Sequence, residues 1–288
     1  MSNSEYETKK TNPLLWVGLG CGGCLGVIVL LLVIGGIIVH SYVSKFKNVM
    51  MEYAENNVGV FEAKQIIIAF HNYHDATRFF PPAYTADAEG KPLHSWRVQI
   101  LPFIEEQELY DKIRHDEPWD SEYNSQFHSQ MPDIFRGAFD SSPASTGMTN
   151  YVWVVGENTV GNGPSGISLS RMSDGTSNTA VLFETRRPIC WMAPEDLTLD
   201  DLDKGISEDE NDVEAGINSH VLQNGNRVSI VGFGDGSVWL MRSDVPVDVL
   251  RAFVIMNDGK SVYASDYATD ADEEMEKAMR EVFPIGRE

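Results

Sequence analysis

Three groups of side chains in this sequence have the types and spacing to do chemistry. His71 and His74 stand at i and i+3, which on a helix places both imidazoles on one face, a geometry used by metal-binding pairs. No Glu or Cys accompanies them in a recognised order, and a position beside a helix stop favours capping or packing. Asp174-Gly175 and Asp235-Gly236 each gather several oxygens near a tight turn, so Asp174 and Asp235 are the candidates for a calcium site. Asp-Gly is first a turn signal, however, and the EF-hand spacing is absent. Asp116 and Glu117 would make an acid/base pair but have no positioned partner in the sequence. There is no Ser/His/Asp elbow, zinc signature or phosphate loop, so no catalytic or cofactor-binding residue is assigned, and the protein is not expected to be an enzyme.

The same elements offer a binding alternative. Trp96, Trp119, Trp153, Trp191 and Trp239 could present stacking platforms to a glycan if they were exposed; buried, they would favour a scaffold. The formal charge of −21 opposes binding to nucleic acid, where phosphates reward clustered Lys and Arg. Cys21 and Cys24 lie in an apolar run and Cys190 stands apart from them, so a disulfide framework is excluded.

That apolar run organises the chain. Leu14 to Val39 holds no charged residue over 26 positions, more than the roughly 20 that span a hydrocarbon core. It is longer than the 7 to 15 apolar residues or so of a signal peptide, and no small-residue cleavage site follows it. We therefore expect a single retained transmembrane helix after a polar tail, 1–13, and a bilayer partner through Leu14–Val39. Lys9 and Lys10 on one side balance Lys45 and Lys47 on the other, so orientation rests on the short tail, which places the remainder outside the cytoplasm.

Residues 40–78 are expected to continue the helix until Phe80-Pro81-Pro82 stops it, with Phe61, Ile68 and Phe70 facing the sheet and Asn56, Asn57 and Gly59 as the place for a bend. Ser95 to Ile104 reads as a strand, followed by a short helix from Ile104 to Arg114. Thr149 to Val155 and Thr179 to Phe183 read as strands, and Arg227 to Val231 with Ser237 to Met241 as a hairpin on a type I′ turn. Residues 195–214, with ten carboxylates against Lys204, read as a solvated loop, and 266–288 as a polar tail that is helical around Glu273 to Phe283. The domain between, 79–265, is expected to be α+β with an antiparallel sheet.

Several blocks occur in a fixed order: AFHNYHDATRFFPPAY at Ala69–Tyr84, SWRVQILPFIE from Ser95, Leu109-Tyr110, DEPWDS from Asp116 with Asn124, DGTSNT from Asp174 with Glu184, and Trp191 with PEDL from Pro194. Together they resemble a planctomycete domain-of-unknown-function family, the prepilin-type processing-associated H-X9-DG proteins. The resemblance implies a pilin-like architecture, a long helix packed on a largely antiparallel sheet, and it brings no catalytic residues. This chain departs from the family pattern in two places. It has no G-F-T-L-x-E processing motif, and His220 and Asp235-Gly236 are separated by fourteen residues. The expected function is a non-catalytic, membrane-anchored surface or envelope protein acting in structure, adhesion or assembly, with envelope or pilus-type assembly proteins as partners. The rival is an ectodomain that binds calcium or a glycan.

Overall fold

The computed structural model describes residues 13–137, 146–209, 212, 214, 216–221 and 225–269, without the side chains of residues 13–32 and 48–58. Helix α1 runs unbroken over Pro13–Thr77, 65 residues, with proline at its first position, where a missing N–H costs nothing. It ends where expected. Arg78 turns left-handed at φ 72° and donates to the His74 carbonyl, and the diproline beyond cannot continue the helix. Among the described residues no helix is long and apolar enough to cross a membrane. Most side chains of the expected span Leu14–Val39 lie outside the described residues.

The buried face of α1 differs from the expected one. Ala63, Ile66, Ile67 and Phe70 follow the i, i+3, i+4, i+7 rule and are fully buried, whereas Phe61 is 62% and Ile68 49% exposed. Three consecutive isoleucines cannot share one face of a 3.6-residue helix, and the sheet takes Ile66 and Ile67.

After α1 come a small hairpin, β1 (Tyr84–Ala86) and β2 (Pro92–Ser95), then helix α2 (Trp96–Gln99) and helix α3 (Gln107–Lys112). The expected strand through Trp96 and Val98 is therefore a helical turn. Trp96, Arg97 and Val98 are all buried, which suits a turn packed on every side and not a half-exposed strand. Strands β3 (Met148–Val152), β4 (Val154–Val155), β5 (Ala180–Cys190) and β6 (Leu197–Thr198) lead to helix α4 (Leu199–Leu202). Short strands β7 (Ile206–Ser207), β8 (Ile217–Asn218) and β9 (His220–Val221) precede the hairpin of β10 (Arg227–Phe233) and β11 (Val238–Arg242). Helix α5 (Val247–Val254) and strand β12 (Ala268–Thr269) follow.

The main sheet has the order β12-β11-β10-β5-β3, with β9 also pairing β10, and every pair in it is antiparallel. The fold is mixed α+β. Alternation along β10 builds two cores: Val228 and Ile230 face α1, while Val231 and Phe233 face α5. At Gly232, on the α1 side, an added Cβ would run into Ile67 Cδ1 at 2.5 Å, so the glycine sets how closely helix and sheet approach.

Three further expectations are corrected. The β10–β11 turn is not type I′, because Gly236 alone of its Asp-Gly pair has positive φ, at 93°. The Gly236 N–H returns to the Phe233 carbonyl, giving a type I turn followed by a left-handed glycine. The acidic segment 195–214 is not a solvated loop over its described part. The Asp196 side chain, Leu197 and Leu202 are buried, and Thr198 and Asp201 form a reciprocal cap on α4. Of the expected tail 266–288, residues 266–269 form a turn and β12 at the sheet edge; the helix expected around Glu273 lies outside the described residues.

Candidate functional site

The buried polar groups concentrate where α1 meets β3 and β5, in two adjoining networks. The first is built on Arg97. Its side chain, on α2, reaches inward to donate to the Tyr151 carbonyl from Nε (3.0 Å) and Nη2 (2.7 Å), and to Asp196 Oδ1 from Nη2 at 2.8 Å. Asp196 Oδ1 also accepts from the Trp153 backbone N–H (2.9 Å) and from Trp96 Nε1 (3.2 Å). Burial pushes the Asp196 carboxyl up, and the Arg97 charge opposes it. Trp96 and Trp153 stack at 5.4 Å with planes 11° apart, and Phe70 of α1 meets both rings edge-on. The SWRV and PEDL blocks thus form one knot under the helix.

The second network crosses the sheet. Tyr151 and Glu184 are cross-strand partners on β3 and β5, and the Tyr151 hydroxyl donates to the Gly59 carbonyl of α1 at 3.0 Å. One turn further along α1, the Glu62 carboxyl lies beside that hydroxyl and faces Glu184. One of its oxygens is buried without a hydrogen-bond partner. Burial pushes Glu62 up to about 8, with Arg136 opposing the shift and Glu184 adding to it. Behind Glu184, His220 Nε2 lies 3.0 Å from Glu184 Oε2, both side chains being 4% exposed or less, and Arg186 Nη2 lies 3.2 Å from His220 Nδ1. A carboxylate and an imidazole in contact could move a proton, and in this pair both side chains are buried.

The metal and acid/base candidates singled out from sequence fall elsewhere. His71 and His74 flank Phe80, with ring centroids at 5.5 Å and 6.0 Å respectively, which is packing at the helix end. Asp174 accepts from the backbone N–H groups of Asp258 (2.8 Å) and Gly259 (3.1 Å), tying two loops together. Asp235 accepts from the backbone and hydroxyl of Ser237 at 2.9 and 2.7 Å within its own turn. Among the described residues no three His, Cys, Asp or Glu side chains are grouped so as to hold a metal ion. Glu117 pairs with Arg114 at 2.8 Å on the surface, and its backbone carbonyl accepts from Asn124 Nδ2, which also bonds Arg114 O and Pro118 O and so closes the DEPWDS turn. Cys190 is half-buried, and burial raises its thiol. Trp96, Trp153 and Trp191 are fully buried, and Trp119 and Trp239 partly so.

His220 and Asp235-Gly236, the altered closing motif, sit at opposite ends of β10: His220 pairs with Val228 at one end, and the glycine turn closes the other. Sequence reasoning did not find Glu62 or its relation to Glu184. The available signal was a carboxylate next to Ala63 and one turn before Ile66.

The family model described as "Protein of unknown function (DUF1559)" matches residues 62–136, which is 75 of 288 residues. That stretch carries the end of α1, the SWRV block and the DEPWDS turn. No curated protein and no solved structure matches the chain.

Proposed function

We propose that this is a non-catalytic, membrane-anchored envelope protein whose folded domain is a scaffold for structural, adhesive or assembly contacts. The observation that carries the reading is the change of character along one helix. Over residues 33–39 of α1, Val33, Ile34, Ile37, Ile38 and Val39 are exposed and no polar side chain stands among them; from Ala63 to Phe70 the same helix is built into the core. A helix apolar on every side is at home in lipid, and the uncharged sequence back to Leu14 extends it to the length of a span. On this reading the domain lies on the non-cytoplasmic side.

The scaffold half of the reading draws on the tryptophans and the polar groups. Three of the five are fully buried in aromatic stacks, and the acid/His pair is buried with its hydrogen bonds made within the protein. The long helix on an antiparallel sheet accords with a pilin-like member of the planctomycete unknown-function family, with envelope or pilus-type assembly proteins as partners. The partly exposed Trp119 and Trp239 keep a second reading, a glycan- or calcium-binding ectodomain, open to test.

Protease added to intact cells tests the topology. Trimming of the domain beyond residue 59, with the N-terminal tail protected, is the expected result. Protection of the whole domain until the cells are permeabilised would reverse the orientation.

A further inference from the structure

We propose that the Glu62 carboxyl, held between the Tyr151 hydroxyl and the Glu184 side chain where α1 enters the domain, is a proton-dependent clasp: neutral, it lets the helix seat on β3 and β5, and charged, it loosens the first seated turns.

The geometry sets the sensitivity. Tyr151 and Glu184 stand side by side on the sheet, and Gly59, which accepts the Tyr151 hydroxyl, is one helical turn before Glu62. Among the described residues, the clasp therefore closes the first contact between α1 and the sheet. The groups facing Glu62 come from three elements: Asp133 and Arg136 from the 133–136 turn, Tyr151 from β3 and Glu184 from β5. Arg136 is the one cation in that set. Glu184 is itself engaged with His220, so a second carboxylate charge meets a fixed polar arrangement with a buried oxygen still unpartnered. Burial is the largest influence on Glu62, and release of the helix removes it.

The sign follows from linkage. The seated carboxyl holds its proton up to about pH 8, while a released one gives it up near its ordinary 4.5. Between those values the released turn binds fewer protons, so rising pH favours release; above about 8 the effect is complete. Acidification tightens the joint between helix and domain, and mild alkalinity loosens it.

The test is amide hydrogen exchange of the full chain in detergent micelles, read by mass spectrometry over residues 59–70 at pH 5.5, 7.0 and 8.5 after correction for intrinsic rates. For the wild type, protection should fall by about tenfold or more across that range, while Glu62→Gln, which keeps the shape of the neutral carboxyl, should stay level. Equal slopes in the two proteins, or a level wild type, would overturn the clasp. If Glu62→Gln loses protection throughout the domain, Glu62→Met supplies the same comparison with an uncharged side chain of similar length.

Discussion

Arg97 and Asp196 lie 99 residues apart in sequence and 2.8 Å apart in space, with neither side chain more than 2% exposed. Removing two charges from water is costly, and their mutual attraction offsets that cost only when the remaining donors and acceptors are also used. Here they are. Asp196 takes the Trp153 amide and the Trp96 indole as well as the guanidinium, and Arg97 spends two more donors on the Tyr151 carbonyl. The pair fixes the α2 turn to β3 and to the start of the acidic segment.

Breaking one half of that pair should cost more than removing both. Arg97→Met should destabilise the domain by about 3–5 kcal/mol, because it strands a buried carboxylate, and Asp196→Leu should do the same to the guanidinium. The double variant should lose clearly less than the sum of the two. Urea unfolding of the full chain in micelles, followed by tryptophan fluorescence, measures all three.

The approach of α1 to the sheet rests on Gly232 and Ile67. Gly232→Val places methyl groups where Ile67 Cδ1 now sits and should cost at least about 1–3 kcal/mol by overpacking. Adding Ile67→Ala should recover part of that loss, which a thermal melt would register; no recovery would mean that strain in β10 itself dominates.

The sequence disclosed the fold where local signals were strong: the helix from Leu14 to its diproline stop, the β10–β11 hairpin, and the strands around Tyr151 and Val181. It misled where burial on all sides removed the periodicity, as at Trp96-Arg97-Val98, and where three isoleucines concealed the face of α1. The acidic segment was misread because charge count is blind to Asp196, whose partner lies far away in sequence. Glu184 and His220 stood in recognisable blocks, yet only the pairing of β9 with β10, and of β10 with β5, brings them into contact. Long-range pairing of this kind leaves no trace in spacing.

His94 gives the domain an acid-sensitive element of opposite sign to Glu62. Burial, with His115 adding to it, holds the imidazole below its ordinary 6.5, although its Nε2 lies 3.2 Å from the Arg114 carbonyl. As pH falls below 6.5 the unfolded chain takes up a proton that the folded one refuses, so stability drops. Plotting wild type minus His94→Gln stability between pH 7.5 and 5 isolates this contribution. The difference should shift against the wild type on acidification, and a level difference would contradict it.

Asp174 and Asp235 should separate by the reach of their hydrogen bonds. Asp174 joins residues 258 and 259 across the domain, so Asp174→Ala should cost about 1–3 kcal/mol; Asp235 serves its own exposed turn, and Asp235→Ala should cost about 1 kcal/mol or less. Melts with calcium and then with chelator should coincide. A calcium-dependent rise of several degrees, lost in either variant, would promote the ligand-binding reading.

The anchored-scaffold account is tested most directly by alkaline carbonate extraction of membranes from cells making the full chain. Wild type should remain in the pellet, while a variant carrying Val27→Lys and Leu30→Lys together should move to the supernatant, because two charges near the middle of the apolar stretch Leu14–Val39 oppose insertion. Wild type in the supernatant, or no difference between the two proteins, would contradict the account.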